Sequence, residues 1–278
     1  MSFTLNPYLK DGRLTLSVKK LHKLGEKGDS QAQILLEIMY KHGEGGVNKN
    51  EAESIRWTRK LAERGMPQAQ YDLGISYAKG RGVSQDLVEA KEWYQRAAEQ
   101  GIPAAQSALA AICGPERDSE AARWYRKAAE HDDVSALNWA RQEAGQGNTE
   151  GQVIVARMHE RRGEYAEAFE YFRRAAEQHN AEAQYELGSL YWLDNGEEGT
   201  LRSSHRVRQD YKEALKWYMK AAAQGYVDAQ LNLGVMYARG YGVPKDQLEA
   251  AKWYRLAAEE GNVLAKEFLQ ELERKDIR

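Results

Sequence analysis

The chain is predicted to be all-α: an α-α superhelix, a right-handed solenoid of about six helix-pair repeats with a capping helix at each end. Three observations predict it. An aromatic pair or its equivalent recurs at Trp57, Trp93-Tyr94, Trp124-Tyr125, Tyr171-Phe172, Trp217-Tyr218 and Trp253-Tyr254, at spacings of 36, 31, 47, 46 and 36 residues. An Ala-Gln pair recurs out of phase with it, at Ala32-Gln33, Ala69-Gln70, Ala105-Gln106, Ala183-Gln184 and Ala229-Gln230, with Gly151-Gln152 as a variant. Of the 278 residues 42% are apolar and 29% charged, with only five prolines. That surface-rich balance suits units that bury a face only against their neighbours. A period of this length means stacked supersecondary units, because one helix pair cannot bury its apolar face alone.

The elements follow in order. Residues 16–27 read as a lone second helix sealing the front, since Lys20-Leu21, Leu24-Gly25 and Gly28 align with Trp93-Tyr94, Ala97-Ala98 and Gly101. The cleanest unit, residues 67–101, is PQAQYDLGISYAKGRGVSQDLVEAKEWYQRAAEQG. Ala69, Leu73, Gly74 and Tyr77 have helical spacing. Gly80 and Gly82 are read as ending that first helix, because glycine accepts the left-handed conformation of a C-terminal cap. The second helix starts at Asp86, with Glu89 three residues on, a capping-box arrangement that recurs at Asn50/Glu53, Asp210/Glu213 and Asp246/Glu249. Ala90, Trp93, Tyr94, Ala97 and Ala98 form its predicted buried stripe. Alanines and Gly74 are expected to let the two helices approach, with the Trp-Tyr pair filling the larger gap between units. Residues 262–274 read as a lone first helix closing the array.

These residues carry a resemblance. AQYDLGISYAKGRGV followed by EAKEWYQRAAEQG, and AQLNLGVMYARGYGVPKDQLEAAKWYRLAAEEG at residues 229–261, resemble the Sel-one-like repeat, a relative of the tetratricopeptide repeat. The resemblance covers roughly residues 26–272. Tandem tetratricopeptide repeats, at about 34 residues each, lack the GxGV segment seen at 80–83 and 240–243. The resemblance implies an adaptor of signalling, secretion or host-interaction complexes, and a concave side lined by the first helix of each pair.

Two stretches depart from the pattern. Residues 133–148, DVSALNWARQEAGQGN, read as an inserted short helix carrying Trp139; the reading adopted is a change of superhelical phase, with a docking element as the alternative. The fifth unit has a loop at 194–210 with an acidic half and a basic half that includes Arg202, His205, Arg206 and Arg208. A solvated loop is favoured there over a binding loop.

Most other chemistry is excluded. A net charge of -2 gives no global attraction to nucleic acid or anionic membrane. The loop arginines are too few and lack interleaved aromatic residues. No apolar run reaches the length of a membrane span. Cys113 is the single cysteine and reads as a small core residue. The N-terminal stretch has no secretory pattern. A cytoplasmic location is therefore expected, although an exported mature chain reads the same way. The glycine-rich turns follow helices and lack a GKS/T ending, so they are not phosphate loops. His159-Glu160 opens like a zinc-protease helix, but position 163 is glycine where the metal geometry needs histidine. No catalytic residue, metal or cofactor is expected.

The expected function is therefore an adaptor or scaffold that binds another protein or peptide through the concave face. Aligning the units, its outward first-helix positions include Ile34, Ile38, Tyr71, Ile75, Val153, Arg157, Tyr185, Ser189, Trp192, Leu231, Val235 and Arg239. Arg202 and Arg206 of the long loop complete the candidate set. Trp192 stands where the clean units place Ala78 and Ala238, which gives it the character of an interface anchor. The alternatives are an immunity or regulatory protein that blocks one toxin or effector, and a small-molecule-binding or enzymatic module.

Overall fold

A computed structural model of the chain describes residues 7–10, 13–114, 120–192 and 209–276. It divides into two compact units, Met1–Ala136 and Leu137–Arg278.

The first unit opens with a two-residue antiparallel ladder, β1 (Leu9–Lys10) and β2 (Arg13–Leu14), with Leu9 opposite Leu14. The helix-only prediction did not include it. Then come α1 (Val18–Glu26), α2 (Ser30–His42), α3 (Glu51–Glu63), α4 (Pro67–Lys79), α5 (Leu87–Glu99), α6 (Pro103–Cys113) and α7 (Glu120–Glu130), each packed on the next. Leu21 and Gly25 of α1 are buried, and Tyr8, Leu9 and Leu14 pack beside Leu36 and Trp57. The predicted inserted helix is α8 (Val134–Gly145). Asp133 starts it, accepting from the Ala136 N–H at 3.0 Å and from the Ser107 hydroxyl at 2.6 Å.

The second unit holds α9 (Thr149–Arg161), α10 (Tyr165–Glu177), α11 (Ala181–Trp192), α12 (Tyr211–Ala223), α13 (Val227–Arg239), α14 (Gln247–Glu259) and α15 (Val263–Asp276), again packed in succession. The turn at 115–119 and the loop at 193–208 lie outside the described residues.

Three sequence expectations need correction. The capping boxes are only half formed. Asn50, Asp86, Asp210 and Asp246 accept from the first-turn N–H groups as predicted. Their own N–H groups do not meet the glutamate; they donate to the carbonyls of Tyr40, Tyr77, Tyr191 and Tyr237 at 2.8–3.0 Å. The cap thereby ties each second helix to the end of its own first helix, and Glu53, Glu213 and Glu249 pair instead with Arg56, Lys216 and Lys252.

Gly82 does not end a helix. Gly80 is the left-handed cap, at φ 64°. Gly82, at φ 66°, lies against α3, where a Cβ would stand 2.8 Å from the Glu51 carbonyl oxygen. Gly242 approaches the Tyr211 carbonyl in the same way. The second glycine of GxGV thus lets the loop rest on the preceding pair.

The Trp-Tyr pair does not fill one gap. Its tyrosine sits on the glycine of its own pair: a Cβ on Gly74, Gly188 or Gly234 would come within 2.5, 2.8 or 2.3 Å of the ring of Tyr94, Tyr218 or Tyr254. Burial pushes the Tyr94 and Tyr254 hydroxyls up to about 12. Trp93 instead reaches the preceding pair, joining Leu61 and Ala62.

The Ala-Gln motif has its reason in the same turns. Each Gln is buried, and Gln33, Gln70, Gln106 and Gln184 donate to a carbonyl eight residues back, at Gly25, Ala62, Ala98 and Ala176. These are last-turn carbonyls that a helix leaves without an internal partner. The glutamines at the end of later second helices, Gln100, Gln178 and Gln224, then donate to the side-chain oxygens of Gln70, Gln152 and Gln184.

Candidate functional site

Within each unit the first helices carry the residues singled out for partner binding, at two repeat positions: one and five residues after the buried glutamine. Tyr71 and Ile75, Tyr185 and Ser189, and Leu231 and Val235 are all half-buried there. Val153, aligned with Tyr71, is fully buried and is no outward residue, because Gly151 beside it packs on the α8 backbone and draws α9 in.

In the first unit Tyr71 leans on Tyr94 with ring centroids 5.8 Å apart. Ile75 walls a cleft of about 380 Å³ between α2, α3 and α4.

In the second unit the candidate side chains are engaged with one another. The Arg157 guanidinium donates to Glu182 at 2.8 and 3.0 Å and to Glu186 at 2.7 Å. Burial raises the Glu186 carboxyl above its usual range, an effect Arg157 opposes. Ser189 donates to the Tyr185 carbonyl or shares a proton with the Tyr218 hydroxyl, 3.1 Å away in both cases. Tyr185 stacks on Tyr226 with centroids 5.0 Å apart. Trp192 meets Tyr211 and Tyr241 edge-on, at 5.2 Å each, while those two tyrosines stack on each other. Its ring therefore pins the glycine turn of the following pair. Val235 and exposed Arg239 line a second cleft, of about 540 Å³, with Tyr254, Phe268 and Leu272. Arg202 and Arg206 lie outside the described residues.

The rejected motifs have structural roles. His159 Nδ1 is 2.6 Å from the Glu164 carboxylate and its ring stacks on Tyr171. Cys113 is half-buried, with its Sγ 3.9 Å from Glu120. Among the described residues no group of three His, Cys, Asp or Glu is placed to hold a metal ion, and no helix is long and apolar enough to cross a membrane.

Sequence reasoning missed the content of the first cleft. Position 37, where other first helices carry Gly74, Gly188 and Gly234, is glutamate; position 58, where second helices carry Tyr94, Tyr218 and Tyr254, is threonine. The signal was present as a paired departure from the repeat.

Helix pairs seated in this way, with half-exposed first-helix faces, define a helical-repeat protein. A model of the Sel1 repeat matches residues 30–66, 67–102, 103–133, 160–180, 181–226 and 227–262. The chain belongs to the Sel1 repeat family, whose members typically serve as protein-interaction scaffolds and are generally non-enzymatic. It is similar to a Sel1 repeat protein from Oxalobacter formigenes at 32% identity, over 92% of this chain and 79% of that one, with a TM-score of 0.45. A protective antigen present in uropathogenic Escherichia coli strains, displaying an SLR fold, is 29% identical over 92% of this chain, with a TM-score of 0.45; the match spans 59% of that longer protein. An immunity protein from Pseudomonas aeruginosa is 19% identical over 90% of this chain and 84% of that one, with a TM-score of 0.35. No curated protein matches the chain.

Proposed function

We propose that the chain is an adaptor that binds a protein or peptide partner through the first-helix faces of its repeats, in a reducing compartment. The observation that supports this reading is the recurrence of half-buried side chains at the same two repeat positions, Tyr71 and Ile75, then Leu231 and Val235. They are held by the fold yet still present surface. The single cysteine, half-buried and unbridged, supports the compartment.

The test is affinity capture from cells that make the protein, with wild-type bait beside an Ile75→Glu/Val235→Glu variant whose helicity is first shown to be unchanged. One dominant protein captured by the wild type and lost with the variant is expected. Identical captures with both baits would reject this face. Capture of one toxin or effector at one-to-one stoichiometry would sharpen the role to that of an immunity protein.

A further inference from the structure

The cleft between α13, α14 and α15 holds about 540 Å³ and lies wholly within the second unit. Its walls are carbon from Val235, Ala238, Phe268 and Leu272, all half-buried. A volume of this order is that of a ligand pocket.

One hydroxyl lies in it without a protein partner. In the preceding pair the Tyr218 hydroxyl meets Ser189 Oγ at 3.1 Å and the Asn232 side chain. At the matching positions the last pair carries Val235 and Phe268, which have nothing to bond with. Tyr254, only 4% exposed, therefore makes no hydrogen bond through its hydroxyl among the described residues. Burial pushes that hydroxyl up to about 12, so it keeps its proton and presents a donor to whatever enters.

Two cations flank it. Arg239 and Lys245 line the cleft, both are exposed, and neither makes an ion pair among the described residues. For Lys245 the reason is a substitution in the repeat. Lys49, in the same place before the cap of α3, pairs with Glu51 at 3.6 Å. The residue matching Glu51 is Gln247, whose amide donates to the Ala238 carbonyl at 3.1 Å. The single carboxylate of the lining is Glu271; its charge and that of Arg239 act on the Tyr254 hydroxyl in opposite senses. The lining is left with one cation in excess, which favours an acidic occupant.

The chain itself shows what this place between the helices accepts. Ala238 stands where the preceding pair has Trp192. The Trp192 indole meets Tyr211 edge-on and tilts onto Tyr218, the residues matching Gln247 and Tyr254. One pair earlier, then, an aromatic side chain fills the equivalent space.

We infer that the cleft takes an aromatic side chain of a partner peptide together with a neighbouring carboxylate. The ring lies between Val235 and Phe268, and the carboxylate meets Arg239, Lys245 and the Tyr254 hydroxyl. This deepens the partner-binding reading above and rests on it for the source of the peptide, but its test uses no partner.

The test is a titration of the ¹⁵N-labelled full chain with acetyl-Gly-Trp-Glu-Gly amide. The controls are the same peptide with Gln in place of Glu, the same peptide with Ala in place of Trp, and indole-3-acetate. Saturable shifts at the backbone amides of Ala238, Tyr254 and Phe268 are expected with the first peptide, and binding about tenfold weaker with either substituted one. Arg239→Gln/Lys245→Gln should weaken binding by about tenfold. Tyr254→Phe, which leaves the ring on Gly234, should weaken it less. Ala238→Trp, which supplies the ring that Trp192 supplies one pair earlier, should abolish binding while keeping a cooperative thermal transition. Equal binding of either substituted peptide, tighter binding of indole-3-acetate than of the peptide, or unchanged affinity in the Arg239→Gln/Lys245→Gln variant would overturn the site. Absent shifts beside an intact capture of a partner would overturn this site alone. Intact shifts beside identical captures with the wild-type and Ile75→Glu/Val235→Glu baits would overturn the wider face alone.

Discussion

The pairs α2–α3 and α4–α5 share the cap of their second helix, their buried glutamine and nearly their length, yet different side chains face each other between their helices. In α4–α5 the Tyr94 ring lies on Gly74, and the space between the helices is filled by carbon. In α2–α3 the same two positions are Glu37 and Thr58, beside a cleft of about 380 Å³ whose walls carry both acidic and basic side chains. The caps hold both geometries, because the bond from the cap N–H to the tyrosine carbonyl, Asn50 to Tyr40 or Asp86 to Tyr77, is the same in each. Backbone bonds therefore hold both pairs alike, whatever side chains stand at the two seat positions.

Exchanging the seats breaks this comparison most directly. Gly234→Ala should destabilise the chain by about 1–3 kcal/mol, since the new Cβ overpacks the Tyr254 ring. Urea unfolding measures it, and a cost below about 0.5 kcal/mol would mean that the ring is not seated. In the first pair the reverse exchange, Glu37→Gly with Thr58→Tyr, should stabilise by roughly 1–2 kcal/mol, as apolar area replaces a solvated cleft.

A smaller effect separates repeats with a complete glutamine contact from those without one. The side-chain oxygens of Gln33, Gln106 and Gln230 are buried without a partner among the described residues, and the positions that would donate to them hold Arg64, His131 and Glu260 in place of glutamine. His131→Gln and Glu260→Gln should each raise stability by about 0.5–1.5 kcal/mol by supplying the missing donor. Gln100→Ala should lower it by a similar amount, by orphaning Gln70. Melting temperatures that fail to move in opposite directions would show that the contact is not stabilising.

The smallest effect sharpens the comparison through pH. Burial raises the Glu37 carboxyl above its usual value, so folding favours its protonated form. That contribution is fully present below the unfolded pKa and is lost as pH rises through the raised, folded one. Glu37→Gln should therefore melt above the wild type at pH 7, and the gap should narrow as pH falls toward about 4. The seat swap already carries glycine at position 37, so adding no carboxylate there, it should show no such pH dependence from this site.

Much of this was legible in the residues. The aromatic and Ala-Gln periods mark every helix pair, because each repeat solves the same packing problem with the same side chains. The candidate site was less so. Arg157 and Trp192 are unusual for their repeat positions, but the sequence does not show that Glu182 and Glu186 meet the one, or that Tyr211 and Tyr241 meet the other. Those partners lie on the following repeat, and contacts between repeats depend on how the units stack. The paired departure at Glu37 and Thr58 was missed because each looks ordinary singly.

By itself the sequence determined the all-α repeat, its unit length, its turn glycines and its cap residues, since these are set by local backbone preference and a short period of buried side chains. Tertiary structure decided where the second bond of each cap goes, why the second GxGV glycine is needed, and which buried glutamines find each other. Each of those is a meeting of groups from different helices, where close approach of two backbones selects the residue and no local pattern records it.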